Sequence, residues 1–152
     1  MTELIGAVYL DANVFIDALE GEQAAAQPAE EFLRHLRAYP RVAITSELTL
    51  AEILARPERE RLLPLKRAYL NLIVSNRFIE LKSVTRRVLL DSAKYRAVHT
   101  PGLKLPDAIH LVTAGQSRCQ LFVSRDTGIN PPVGMTRISA DVSALATLLR
   151  GR

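Results

Sequence analysis

The chain has no tryptophan, and its aromatic residues are four tyrosines and four phenylalanines. So sparse a supply argues against a surface on which successive bases stack, and a nucleic-acid partner would have to be held by charge and shape. There is one cysteine, Cys119, which excludes an internal disulfide. Long apolar runs are missing as well. None approaches the roughly 18 to 20 residues needed to span a bilayer, and LIGAVYL is cut off after Leu10 by Asp11. No charged-then-apolar leader ending in small residues precedes that run. These absences lead us to expect a cytoplasmic protein without a membrane-spanning segment. Repeats, low-complexity tracts and long linkers are also absent, which predicts one domain over residues 1–152. A chain of this size buries about two thirds of its unfolded surface.

What is present begins with charge. Twenty Lys and Arg stand against 16 Asp and Glu, a formal net charge of +4, with a sequence pI near 9.6. Such a balance suits phosphate-bearing partners without establishing them. Arginine clusters in RPERERLLPLKR and in TRR, Thr85 to Arg87. For either cluster taken alone, a solvated helix face is the simpler reading.

Short apolar runs alternate with longer helical patterns. LIGAVYL, VAIT (Val42 to Thr45), FIEL (Phe78 to Leu81), LFVS (Leu121 to Ser124) and a weaker MTRIS (Met135 to Ser139) read as strands covered on both faces. PAEEFLRHLRA, SELTLAEILA, LKRAYLNLIVSN, TRRVLLDSAKYRAVH, LPDAIHLVTAG and the final ADVSALATLLR read as helices. The alternation predicts an α/β fold with a mainly parallel sheet. Pro28 and Pro106 are placed as first helical residues, Ser46 and Thr85 as N-caps, and Gly115 as the close of the helix begun at Pro106.

Four carboxylates sit oddly in this pattern. Asp11 ends the first apolar run, where an unpartnered ionised group costs several kcal/mol. Helical spacing puts Glu52 on a stripe with Leu48, Ala51 and Ala55, beside an apolar face. Asp107 falls in the first turn of an otherwise apolar helix, where the helix dipole is explanation enough. Asp126 follows a strand and precedes Gly128, as a turn Asp does. In open parallel sheets, however, the functional crevice lies beyond the carboxyl ends of the strands. Asp11 and Asp126 are both placed at such ends, and Glu52 and Asp107 stand on helices able to lean over the same edge. Four carboxylates so gathered repel one another unless some are protonated or a divalent cation neutralises them. With neither cysteine nor a histidine pair among them, an all-oxygen set suits Mg²⁺ or Mn²⁺ better than zinc.

LDANVFID, TSELTLAEIL, LPDAIHLVTA and FVSRDTG, in this order, resemble the PIN-domain family of metal-dependent ribonucleases, and most of all its VapC-type toxins of toxin–antitoxin pairs. The resemblance spans nearly the whole chain. It implies a three-layer α/β/α sandwich around a mainly parallel sheet of about five strands. By that resemblance Asp11, Glu52, Asp107 and Asp126 are the acidic quartet that holds one or two Mg²⁺ or Mn²⁺ ions. Asn13 helps position the first Asp, and Ser124 is the small hydroxyl residue two before the last acid. Arg125 departs from the small polar residue common at its position. An RNA substrate, a cognate antitoxin and a homodimer follow from the same likeness, the antitoxin lying near the segments Phe15 to Leu19 and Phe32 to Leu36. The apolar LKRAYLNLIV is available to an interface between copies.

In this reading metal-activated water attacks a phosphodiester in line. Asp11 and Asp107 are direct ligands, Glu52 ligates or orients the water, and Asp126 completes the site directly or through a water. Arg86, opening the helix after the third strand, and Arg125 are candidate contacts to the RNA backbone, which carry no base information. His110, one turn after Asp107, reads as a packed, hydrogen-bonded residue ahead of a general base. Asp17 reads as a solvent-facing or capping residue. Rival readings begin from the same opening words. A haloacid dehalogenase-type phosphatase needs an acid where Asn13 stands. A receiver module needs a phosphoacceptor Asp after the third strand, where FIELKSV offers Lys82. An RNA-processing nuclease outside a toxin–antitoxin pair, or a catalytically silent PIN-like binding module, keeps the fold and changes the role.

Overall fold

The computed structural model describes residues 6–99 and 102–145. Five strands form one sheet: β1 (Val8–Leu10), β2 (Ala43–Ser46), β3 (Ile79–Lys82), β4 (Leu121–Val123) and β5 (Thr136–Ile138). All pairings are parallel, in the order β3-β2-β1-β4-β5. Val8 lies opposite Ala43 on one side and Leu121 on the other, and Leu10 lies opposite Val123. That register brings the carboxyl ends of β1 and β4 level with each other. Six α-helices connect the strands: α1 (Ala12–Glu20), α2 (Gln23–Leu36), α3 (Leu48–Arg59), α4 (Leu63–Leu70), α5 (Arg86–Val98) and α6 (Leu105–Gln116).

Successive strand side chains point to opposite faces, and the core divides accordingly. Val8, Leu10, Ala43, Leu121 and Val123 pack with Phe15, Phe32, Leu33, Leu36, Ile53 and Tyr69 of α1 to α4. Tyr9, Ile44 and Phe122 point the other way, against Leu111 and Ala114 of α6. Tyr9 and Phe122 stack with ring centroids 5.1 Å apart. Three layers result, as the family resemblance implies, and the sheet is wholly parallel. Each large apolar side chain fully buried this way contributes about 1.5–3 kcal/mol.

Several boundaries differ from expectation. Pro28 lies inside α2, which begins five residues earlier at Gln23. As the sixth helical residue it lies past the first turn, and its missing N–H leaves the Ala24 carbonyl without its usual helical donor. The LKRAYLNLIVSN pattern is divided: α4 ends at Leu70 and a π-helical turn, Asn71–Ser75, continues it, closed by Asn76 N–H donating to Asn71 O at 3.0 Å. Tyr69, Leu72 and Ile73 of that segment are consumed by the chain's own core, leaving Leu63 and Val74 exposed. Phe15, Phe32, Leu33 and Leu36 are buried in the same way. Gly115 does not end α6, which runs to Gln116. Thr85 caps α5, accepting from Val88 N–H at 3.1 Å. Ser46 ends β2, and its hydroxyl accepts from Leu48 N–H at 3.0 Å at the start of α3. The final helix pattern is described only as far as Leu145; residues 146–152 lie outside the described residues. Among the described residues no helix is long and apolar enough to cross a membrane.

Candidate functional site

At the end of β1 the chain is stitched to both neighbours before it turns into α1. Asp11 N–H donates to Val123 O at 3.0 Å, and Thr45 Oγ1 donates to Leu10 O at 2.8 Å. Asp11 therefore sits where β1, β2 and β4 meet, and it is only 6 % exposed. Its carboxylate is well supplied with donors. Oδ1 accepts from Ala12 N–H at 2.8 Å, while Oδ2 accepts from Ser124 Oγ at 2.8 Å and Asn13 Nδ2 at 3.3 Å. Asn13 also donates to Ser124 Oγ at 2.9 Å, so Asp11, Asn13 and Ser124 form one fixed group. An acid at the end of a buried strand is tolerable because these dipoles replace its water.

Glu52 reaches the same place from α3. The buried residues of that helix are Thr49, Ile53 and Pro57, not the expected Leu48–Ala51–Ala55 stripe, and Ala51 and Ala55 are exposed. Glu52 adjoins the buried row, and its side chain is about one third exposed at 33 %. His110 Nε2 lies 2.5 Å from Glu52 Oε1 and 3.8 Å from Asp11 Oδ1. One imidazole nitrogen thus spans two carboxylates, whose oxygens are separated by no more than those two distances together. His110 itself is 1 % exposed, and its Nδ1 lies 2.5 Å from the hydroxyl of Tyr9. That hydroxyl accepts from Ser46 N–H at 3.1 Å. Burial, reinforced by the Asp11 charge, holds the Tyr9 proton well above the ordinary phenol range. A carboxylate only accepts, so the Nε2 hydrogen bond to Glu52 Oε1 runs from the imidazole, while the phenol and Nδ1 share the second bond. The expectation of a packed, hydrogen-bonded His110 holds, with the addition that its partner is one of the four acids.

Asp107 occupies the first turn of α6. Desolvation, and the charges of Asp11, Asp126 and Glu52, raise its pKa above the usual carboxylate range, while His110 acts in the opposite direction. Asp107 is therefore within electrostatic reach of the other three acids. Asp126 takes the turn conformation expected of it: Oδ1 accepts from Gly128 N–H at 2.9 Å, and its own N–H donates to Ser124 Oγ at 3.1 Å. Ser124 thereby links the first and last acids. Among the described residues no three acid, imidazole or thiol groups stand close enough to form a finished metal cage. The donor set nevertheless fits a hard divalent ion. All its atoms are oxygens, and the repulsion that raises proton affinity at Asp107 raises affinity for any cation.

Not every expected residue joins this group. Arg86 is exposed at the start of α5, beyond the carboxyl end of β3 and two strands away from β1, and pairs with none of the four acids. Arg125 N–H donates to Asn13 Oδ1 at 3.3 Å. The Arg125 guanidinium is paired with Asp17 of α1, which corrects the expectation that Asp17 faces solvent or caps a neighbour. Beyond these, Arg137 Nη1 donates to Ser124 O at 2.8 Å from β5. Nothing in the short MTRIS pattern marks that contact. Tyr9 was legible only as a core residue, because its hydroxyl's partners lie 37 and 101 positions away.

Comparison with known proteins places this arrangement. No curated protein matches the chain. Among solved structures, a toxin–antitoxin complex from Klebsiella pneumoniae is similar with a TM-score of 0.61 at 22 % identity, covering 88 % of this chain and 98 % of that one. VapC20 of Mycobacterium tuberculosis, a sarcin–ricin loop cleaving toxin, is similar with a TM-score of 0.66 at 15 % identity, covering 80 % of this chain and 92 % of that one. These likenesses carry the fold. The family model of the PIN domain matches residues 8–130, which include all four acids. The chain belongs to the PIN-domain family.

Proposed function

We propose that the protein is a metal-dependent ribonuclease, one PIN-like nuclease domain over residues 1–152, in which Asp11, Glu52, Asp107 and Asp126 hold one or two Mg²⁺ or Mn²⁺ ions. The observation carrying this reading is that Asp107 lies within electrostatic reach of acids from three other segments at one sheet edge, desolvation and then the charges of Asp11, Asp126 and Glu52 raising its pKa. A bound cation supplies a Lewis acid that activates water and neutralises charge developing on a phosphodiester. The chain's own residues do the rest. Asn13 and Ser124 fix the Asp11 carboxylate, and Ser124 also fixes the backbone of Asp126. Glu52 is held through Oε1, and among the described residues its Oε2 makes no hydrogen bond, so that it is available for a ligand or for orienting water.

Substrate is held by charge. Arg125, adjoining the acids, and Arg86, on the same edge farther out, are the proposed contacts to RNA phosphates. Such contacts set register without reading bases. The similarity to a toxin–antitoxin complex supports a VapBC-type toxin with a cognate antitoxin partner; action in the cytoplasm as a homodimer is the part of the reading that rests on the family resemblance alone. The alternatives are a PIN nuclease outside such a pair and a catalytically silent binding module.

The test is cleavage of labelled RNA by the purified protein in Mg²⁺ or Mn²⁺. Cleavage is expected to stop with EDTA and in Asp11→Asn. Parental cleavage by Asp11→Asn, or undiminished cleavage in EDTA, would refute the mechanism.

A further inference from the structure

Core packing alone does not account for the polar atoms of the buried pair Tyr9 and His110. Both side chains are essentially inaccessible, at 0 % and 1 %, yet each carries hydrogen-bonding atoms that an apolar residue of similar size would spare the core. Their bonds form one chain. Ser46 N–H donates to the Tyr9 hydroxyl at 3.1 Å, that hydroxyl is hydrogen-bonded to His110 Nδ1 at 2.5 Å, and His110 Nε2 to Glu52 Oε1 at 2.5 Å. The chain of bonds starts from the backbone of β2, crosses β1 and α6, and ends on the one acid of the quartet that stands on an exposed stretch of helix.

We propose that Tyr9 and His110 are positioning residues for Glu52: they fix the rotamer of an otherwise free glutamate by holding Oε1 on the same Nε2 that lies 3.8 Å from Asp11 Oδ1. This rests on the metal-dependent nuclease reading and adds to it a second layer of residues behind the ligands. The physical reason is entropic as well as electrostatic. A glutamate on a helix surface loses rotamer freedom when held. Here that loss is met on folding and not on cation binding. The bond between the Tyr9 hydroxyl and Nδ1 fixes the ring orientation that aims Nε2 at the carboxylate. Outer groups of this kind typically govern cation affinity by about 10- to 100-fold.

The experiment uses the full-length protein and five forms: wild type, Asp11→Asn, His110→Leu, His110→Gln and Tyr9→Phe. Mn²⁺ affinity is read from the free-ion electron paramagnetic resonance signal, and folding from thermal melts in EDTA. His110→Leu is expected to bind Mn²⁺ about 10- to 100-fold more weakly. His110→Gln, whose amide can still donate to Glu52, is expected to recover most of that loss. Tyr9→Phe removes a single oxygen and is expected to weaken binding by about tenfold. It supplies the readout if His110→Leu does not fold. A merely structural role would lower the melting temperature and leave the Mn²⁺ affinity of the folded variants at the parental value, and that result overturns the proposal. Asp11→Asn separates the two layers. If it loses Mn²⁺ while folded His110→Leu and Tyr9→Phe bind as wild type, only the positioning role fails. If wild type binds no Mn²⁺, both readings fail together.

Discussion

Replacing Asp107 by asparagine is expected to stabilise the metal-free protein while destroying its response to metal. The side chain is partly exposed, so solvent screening keeps each interaction on the scale of a surface pair. Three carboxylates oppose its charge: Asp11, Asp126 and Glu52. At about 0.2–1 kcal/mol per pair their removal gives about 1–2 kcal/mol. Against this stand the lost first-turn interaction with the α6 dipole, about 0.3–1 kcal/mol, and the lost attraction to His110. The net gain is about 1 kcal/mol, which for a chain of this size raises the melting temperature by about 2–4 °C. In Mn²⁺ at 100 times its dissociation constant the wild type gains about 2.7 kcal/mol, or about 5–11 °C, and the variant gains little. Melts followed by circular dichroism should therefore rank Asp107→Asn above wild type in EDTA and below it in Mn²⁺. The pH dependence has a definite sign. The folded pKa of Asp107 is raised, so the protonated form is favoured by folding and its stabilisation is lost as pH rises from the ordinary Asp value through the raised one. The advantage of the variant in EDTA should shrink on acidification through that window. A variant that melts lower than wild type in EDTA, or that gains as much from Mn²⁺, would refute the reasoning.

Ser124→Ala removes a donor to Asp11 Oδ2 and an acceptor for Asp126 N–H and Asn13; denaturant melts should show a loss of about 1–3 kcal/mol, with Mn²⁺ affinity falling too. Arg125→Ala breaks an exposed ion pair with Asp17 and should change stability by no more than about 1 kcal/mol. If Arg125 meets RNA phosphate, the salt slope measured by fluorescence anisotropy with a catalytically inactive form falls by about one unit. Phe122→Ala, which empties the stack under Tyr9, should cost about 3–5 kcal/mol in urea denaturation.

Much of this molecule was legible because its information is local. The apolar runs ending at Leu10 and Val123 marked covered strands, and the Asp that follows the first marked a sheet edge. Thr85 announced its helix by cap chemistry. What sequence could not resolve is information carried by distant partners. Pro28 read as a helix start because proline favours the first helical position, whereas the alanines before it form helix readily and carry α2 back to Gln23. Glu52 stood beside the buried stripe of α3, but the stripe runs through Thr49, Ile53 and Pro57. Small alanines are as comfortable exposed as buried, so Ala51 and Ala55 carried no directional signal. His110 and Tyr9 each looked like core, and so they are. Their polar atoms meet only because the parallel register places α6 across β1, which no local pattern encodes. Arg125 and Asp17 are paired across 108 positions for the same reason.

The central claim is that the four carboxylates share one hard-cation site. Isothermal titration of the purified, EDTA-treated protein with Mn²⁺, with Asp11→Asn as control, tests it before any substrate is known. The account predicts saturable binding of one or two ions by the wild type and none at comparable concentration by the folded Asp11→Asn protein. Equal binding by both, or no binding by a folded wild type, would contradict it.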